Sequence, residues 1–80
     1  MKENAKNRAI LLQALYEARE AHPSKGWKYE HELRGLIAEP LFPLEILKEQ
    51  GCIEARNLSY RITARGVLAC EAAEQGDRND

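Results

Sequence analysis

The first quarter of the chain repeats apolar residues at helical spacing. Residues 5–21 are rich in Ala, Leu, Glu and Arg and contain neither Gly nor Pro, which predicts a helix over Ala5–Ala21. Beside its main apolar stripe, this helix carries a second one formed by Ala5, Ala9, Leu12 and Tyr16. Because a surface helix of a monomer needs only one apolar face, the second stripe is expected to pack against the last helix or against a second copy of the chain.

Two shorter helices are predicted in the middle of the chain. Apolar residues at i, i+4, i+7 and i+8 predict a helix over Lys28–Ala38, whose inward face is formed by Tyr29, Leu33, Leu36 and Ile37. Pro40 is expected to end this helix, because the residue before a proline disfavours the α-helical conformation. A third helix is expected over Pro43–Gln50, with Pro43 at its first position and Leu44 and Leu47 facing inward.

A β-hairpin is predicted after Gly51, which is itself expected to end the third helix with a positive φ. Two short segments in which apolar and polar residues alternate flank Asn57 and Leu58. If these two residues form the loop, the register of the two strands is determined. The expected partners are Ile53–Ile62, Ala55–Tyr60, Glu54–Arg61 and Arg56–Ser59. This register puts the apolar pairs on one face and an opposite-charge pair on the other. Since Leu58 is unusual in such a turn, a four-residue loop with the same register is an alternative.

A last helix is predicted over Ala64–Gln75, capped by Thr63 and ended by Gly76. Residues 77–80 are then expected to form a disordered tail, and residues 1–76 a single domain. The expected fold class is therefore α+β and mostly α. It consists of three helices, a two-stranded hairpin and a C-terminal helix.

Composition and residue spacing exclude several classes of protein. Cys52 and Cys70 are too few for a disulfide framework, have no metal-site spacing, and are expected to be reduced core thiols. His31 lies between two glutamates, but adjacent residues do not share a helix face, so neither a metal nor a catalytic site is expected there. We expect no enzyme and no cofactor, because no nucleophile–base or phosphate-loop pattern occurs. Without a membrane span or signal peptide, a cytoplasmic location is expected.

The charge is nearly balanced, with 12 basic and 13 acidic residues and a net charge of −1. The last ten residues hold four carboxylates and one arginine, so the rest of the chain has a slight positive excess. This excess is far smaller than the basic footprint of a strong DNA-binding protein. Lys25 and Lys28 flank Trp27, a mixture that suits a nucleic-acid backbone, although an anchored loop with solvated lysines is the favoured interpretation.

Two segments carry a resemblance to a known superfamily. Leu44–Glu54 has the pattern Leu-x-x-Leu-x-x-x-Gly-Cys-Ile-Glu, and Tyr60–Gly66 reads Tyr-Arg-Ile-Thr-Ala-Arg-Gly. Both resemble the recognition helix and wing of winged helix-turn-helix proteins, which include many bacterial transcription regulators. The resemblance covers residues 29–73. It implies a third helix in the major groove of double-stranded DNA and a hairpin, the wing, against the DNA backbone or minor groove.

The resemblance also implies positions for contacts with phosphate, and the second apolar stripe of helix 1 offers a contact with a second copy. The residues at positions of phosphate contact are Arg34, Lys48, Arg56, Arg61 and Arg65. A homodimer, which adds two weak DNA contacts, is expected through helix 1 with help from the last helix. Its expected interface residues are Ala9, Leu12 and Tyr16.

The third helix departs from the pattern of a DNA-reading helix. Glu45 and Glu49 face outward with Lys48, and Glu39 precedes the helix. Carboxylates repel phosphate, and among the common base contacts they accept only from cytosine N4. The alternative to a DNA-binding regulator is therefore a winged-helix module that binds another protein through the third helix and does not bind DNA.

Overall fold

The computed structural model describes the backbone of residues 2–77 and the side chains of residues 3–73. The elements, in chain order, are α1 Lys2–Ala21, β1 Lys28–Tyr29, α2 Glu30–Leu33, α3 Leu41–Glu49, β2 Ile53–Arg56, β3 Ser59–Ile62 and α4 Ala64–Asp77. Within this part of the chain there are four helices and three strands, so the α+β, mostly helical class is confirmed.

The sheet has three antiparallel strands in the order β1-β3-β2, whereas the sequence predicted only the hairpin. All four predicted pairs of the hairpin are confirmed, from Ile53–Ile62 at its base to Arg56–Ser59 beside the turn. Asn57 and Leu58 have φ values of 49° and 62°, which is the two-residue type I′ turn. The four-residue loop is therefore wrong, and Leu58 adopts a left-handed conformation that favours glycine.

The prediction of the second helix is wrong in its first and last residues. Lys28 and Tyr29 form β1, and α2 is limited to Glu30–Leu33. The backbone of Lys28 and Tyr29 pairs with Tyr60 and Ser59 of β3, so strand pairing overrides the helical spacing of this segment.

The early end of α2 changes which of its predicted inward residues are buried. Leu33 and Ile37 are buried in the core as predicted. Tyr29 and Leu36 are exposed, because the helical spacing that aligned all four residues does not continue through the segment.

α3 begins two residues before its predicted start. Pro40 is the N-cap of α3 rather than the end of the previous helix, and its carbonyl accepts the Leu44 N–H at 2.9 Å. Pro43 is thus the third helical residue, where a missing N–H breaks no bond because first-turn donors have no partner within the helix. Leu44 and Leu47 are buried as predicted.

The end of α3 is the predicted glycine cap. Gly51 has a φ of 78°, and its N–H donates to the Lys48 carbonyl at 3.0 Å. The Cys52 N–H donates to the Leu47 carbonyl at 2.9 Å, which completes a Schellman motif. This cap turns the chain directly from α3 into the first strand of the hairpin.

The core is built by apolar faces of α1, α3 and the sheet, together with Leu33 of α2 and Ile37 just after it. Its buried residues are Leu11, Leu15, Leu33, Ile37, Leu44, Leu47, Cys52, Ile53 and Ile62. Both cysteines are free thiols, Cys52 buried and Cys70 half-buried against the core.

α4 covers the second apolar stripe of α1. Leu12 and Tyr16 of that stripe are half-buried against the core, and the Tyr16 hydroxyl donates to the Glu71 carboxylate at 2.8 Å. The stripe is thus packed, at least in part, within its own chain. The Thr63 hydroxyl accepts the Gly66 N–H at 3.2 Å and caps α4 as predicted. α4 continues past Gly76 to Asp77, and residues 78–80 of the predicted tail lie outside the described residues.

Candidate nucleic-acid interface

The most distinctive surface of the molecule is centred on Trp27. This residue directly precedes β1, and its half-buried indole ring lies against two arginines of the hairpin. The guanidinium carbons of Arg56 and Arg61 lie 5.1 and 5.0 Å from the ring centroid. Both distances are within the range of cation–π attraction. Arg56 and Arg61 project from one face of the hairpin, because alternate residues of paired strands share a face.

The loop before Trp27 is tied down by arginine side chains. Arg61 donates to the Ser24 carbonyl at 3.3 Å and forms an ion pair with Glu54 at 2.6 Å. Arg19 of α1 donates to the carbonyls of Pro23 and Ile62, at 3.2 and 2.7 Å. The loop is therefore held on the sheet, which agrees with the interpretation of Trp27 as an anchor.

Trp27 nevertheless remains accessible in an open cleft of about 520 Å³. Its lining includes His22, Lys25, Trp27 and Arg56. We call His22, Lys25, Trp27, Arg56 and Arg61 together the Trp27 surface. Among the described residues, neither Lys25 nor Arg56 forms an ion pair, so both charges are available to an anion. The Trp27 surface thus combines an aromatic ring with two uncompensated cations.

Lys28 contributes less charge to this side of the molecule. Its ammonium lies 3.5 Å from the carboxylate of Glu32 on α2. A hydrogen bond from the Tyr29 backbone N–H lowers the pKa of Glu32 below its ordinary value, and Lys28 lowers it further. Glu32 therefore stays ionised and neutralises Lys28 over the physiological range.

The opposite face of the hairpin is apolar and packs toward the core, with charged residues of α2 and α3 near it. Tyr60 projects there, toward α3, since it follows Ser59 and precedes Arg61 in β3. Burial raises the pKa of the Tyr60 hydroxyl above its ordinary value, and the carboxylates of Glu30 and Glu45 also raise it, whereas the Lys48 ammonium lowers it. The side expected to face DNA thus holds carboxylates beside its cations.

The structure separates the five predicted phosphate-contact residues. Arg56 and Arg61 are together on the Trp27 surface, as described above. Arg34 forms an ion pair with Glu30 at 2.6 Å, and Lys48 forms one with Glu45 at 3.2 Å, both on the side of the molecule that carries α2 and α3. Arg65 passes over Gly51 and lines a separate groove with Arg8 of α1.

The three predicted dimer residues differ in their surroundings. Ala9 is exposed and borders the groove that holds Arg65. Leu12 and Tyr16 are half-buried by their own chain. The most exposed large apolar residue near Tyr16 is Leu68 of α4, which is 65% exposed and shares a groove with Tyr16 and Val67.

The sequence pattern around Lys25 and Trp27 favours an anchored loop and does not predict that Trp27 is the centre of a charged surface. The signal was present in the basic residues on both sides of the tryptophan. The sequence does not show that β1 pairs with β3, and it is this pairing that brings Trp27 next to Arg56 and Arg61.

Comparisons with known proteins find no relative of this chain. No family model, curated protein or solved structure matches this chain. In the part of the chain that the structure describes, no cluster of three or more His, Cys, Asp or Glu residues is arranged to hold a metal ion. No helix found in those residues has the length and apolar character needed to cross a membrane.

Proposed function

We propose that this chain is a winged-helix protein that binds double-stranded DNA as a homodimer and regulates transcription. The observation that carries the proposal is the Trp27 surface, where Lys25 and Arg56 present charges that no described carboxylate neutralises. The order of the helices and the hairpin, together with the resemblance of the segments around Gly51 and Thr63, supports a winged-helix domain.

DNA is contacted mainly along its backbone in this proposal. Lys25 and Arg56 bind phosphate oxygens, while Trp27 holds the Arg56 guanidinium in position. α3 contributes little, because Glu45 and Glu49 repel phosphate and Lys48 is already paired with Glu45. Contacts of this kind supply affinity that depends strongly on salt and only weakly on base sequence.

The homodimer doubles these few contacts. We propose that it forms along α1 and α4, where Ala9 and Leu68 are exposed beside the half-buried Leu12 and Tyr16. Substitution Leu68→Glu should convert the dimer to a monomer in light scattering, because it places a charge in an apolar contact. Loss of the dimer should also weaken DNA binding, since each protomer then binds alone.

The proposal is tested by fluorescence anisotropy with a labelled, mixed-sequence duplex of about 20 base pairs, between about 50 and 200 mM salt. Two phosphate contacts per protomer predict that log K falls with log salt at a slope of about −4 for a dimer. A folded dimer that fails to bind at tens of micromolar in low salt would refute the proposal. Light scattering on the same samples gives the mass of the protein and of its complex.

A further inference from the structure

The outer face of α3 exposes apolar side chains in its first turn. Leu41 is 48% exposed and Phe42 is 58% exposed, although both belong to a helix whose opposite side is packed in the core. Exposed aromatic and leucine side chains next to each other are a common feature of protein-binding surfaces. Nothing in the Trp27 surface or in the proposed dimer uses these two residues.

Carboxylates dominate the rest of this face. Glu45 and Glu49 are one helical turn apart and point to the same side, and Glu39 lies just before the helix. The single cation of the face, Lys48, forms an ion pair with Glu45. Among the described residues, neither Glu39 nor Glu49 has a basic partner. The α3 face, which we define as Leu41, Phe42, Glu45, Lys48 and Glu49, is thus apolar at one end and acidic along its length.

We propose that the α3 face binds a basic amphipathic helix of a partner protein. An apolar stripe on that helix packs against Leu41 and Phe42, and flanking Lys or Arg residues one turn apart pair with Glu45 and Glu49. This complementarity satisfies both features of the face, since it buries the apolar turn and neutralises the carboxylates.

Two other occupants fit the α3 face less well. DNA would bring phosphates against Glu45 and Glu49, which costs affinity through like-charge repulsion. A second copy related by twofold symmetry would place this acidic face against itself. A partner of opposite charge avoids both conflicts.

The α3 face and the Trp27 surface can be occupied at the same time. Arg56 and Arg61 project from the hairpin face opposite to the one that carries Tyr60. Tyr60 lies on the side of α3, close enough to Glu45 and Lys48 for their charges to act on its pKa. The chain can therefore hold DNA on one side and a protein on the other. This inference goes beyond the proposed function and does not depend on DNA binding.

The test uses two labelled helical peptides of matched apolar pattern, one built from Leu and Lys and the other from Leu and Glu. We expect the Leu/Lys peptide to bind with a Kd of about 10–100 µM and the Leu/Glu peptide to bind at least about tenfold more weakly. Phe42→Ala and the double variant Glu45→Lys/Glu49→Lys should each weaken Leu/Lys binding about tenfold. Leu36→Ala changes a leucine outside α3 that is 54% exposed, close to the 58% of Phe42; it is the matched control and should leave peptide binding unchanged.

Several results would overturn the inference. They are failure of the Leu/Lys peptide to bind, equal binding of both peptides, or an equal loss of binding with Leu36→Ala. A gain of DNA affinity in Glu45→Lys/Glu49→Lys would also overturn it, because α3 would then face phosphate. Self-association that Phe42→Ala abolishes would identify a second copy as the occupant instead. The variant Lys25→Ala/Arg56→Ala should still bind the peptide, so failure of the DNA proposal is distinguished from failure of this one.

Discussion

The guanidinium of Arg56 lies over the indole ring of Trp27, with 5.1 Å between the guanidinium carbon and the ring centroid. This contact joins the last residue of β2 to the loop that leads into β1. It also holds the Arg56 charge on the side of the hairpin away from α3. The Trp27 surface and the α3 face are therefore on different sides of the sheet.

Glu54 restrains the second arginine of the Trp27 surface through a cross-strand ion pair of 2.6 Å. Glu54→Gln should release Arg61 for phosphate and raise DNA affinity by about threefold, at a cost of about 0.5–1 kcal/mol in the free energy of unfolding. Anisotropy and urea unfolding measure the two effects. Glu45→Gln removes an equal charge from the α3 face and should change DNA affinity much less than Glu54→Gln does. An equal gain from both variants would argue against a contact specific to the Trp27 surface.

Leu58 holds a left-handed conformation in the turn while 70% of its side chain is exposed. Leu58→Gly should raise the free energy of unfolding by about 0.5–1 kcal/mol, because glycine adopts positive φ without a Cβ clash. Leu58→Ala keeps the Cβ and should change stability by less than about 0.5 kcal/mol. The free energies of unfolding of Leu58→Gly and Leu58→Ala, measured in urea, separate the effect of backbone strain from the effect of losing the leucine side chain. Equal stabilities of the two variants would mean that the turn stores no strain.

Gly66 provides close packing between α4 and the segment before β2. A Cβ at this position would lie 2.2 Å from the Cys52 carbonyl oxygen, so Gly66→Ala forces the backbone apart. We expect a loss of about 2–4 kcal/mol in the free energy of unfolding, measured by urea or heat. Gly35→Ala is the control, because its nearest contact of 3.2 Å requires only a small adjustment. A Gly66→Ala protein as stable as Gly35→Ala would contradict the observed packing of α4.

The environment of Tyr60 predicts a loss of stability in alkaline solution. Burial and the carboxylates of Glu30 and Glu45 raise the pKa of Tyr60 above its ordinary value, so the unfolded chain releases this proton first. The contribution of Tyr60 is thus fully present below the unfolded-state pKa and is lost as pH rises through the folded-state pKa. Tyr60→Phe should flatten the fall in the free energy of unfolding above pH of about 10. A fall in the free energy of unfolding as steep in Tyr60→Phe as in the unsubstituted protein would contradict this account.

Local sequence signals predicted the elements whose structure depends on nearby residues. The pairing of Ile53 with Ile62 followed from the alternation of apolar and polar residues, and the helix cap at Gly51 followed from the residues around it. β1 could not be predicted in this way, because Lys28 and Tyr29 become a strand only by pairing with residues about thirty positions later. The same limit applied to the Trp27 surface, which that pairing assembles.

Charge pairing was the other property beyond the reach of sequence patterns. Arg34 and Lys48 are as basic as Arg56 in the sequence, and the resemblance treated them alike. Only the structure pairs the first two with Glu30 and Glu45 and leaves Arg56 over an aromatic ring. Which arginines remain available to an anion thus depends on three-dimensional neighbours.

The central claim is that DNA contacts the Trp27 surface rather than the α3 side. Two double variants that remove equal charge test it most directly, namely Lys25→Ala/Arg56→Ala and Arg34→Ala/Lys48→Ala. In anisotropy measured at several salt concentrations, Lys25→Ala/Arg56→Ala should lose at least about tenfold in DNA affinity. The slope of log K against log salt should also decrease by about two units per protomer in this variant. Arg34→Ala/Lys48→Ala should change DNA affinity by less than about threefold. The reverse order of effects, or equal losses in folded proteins, would contradict the account.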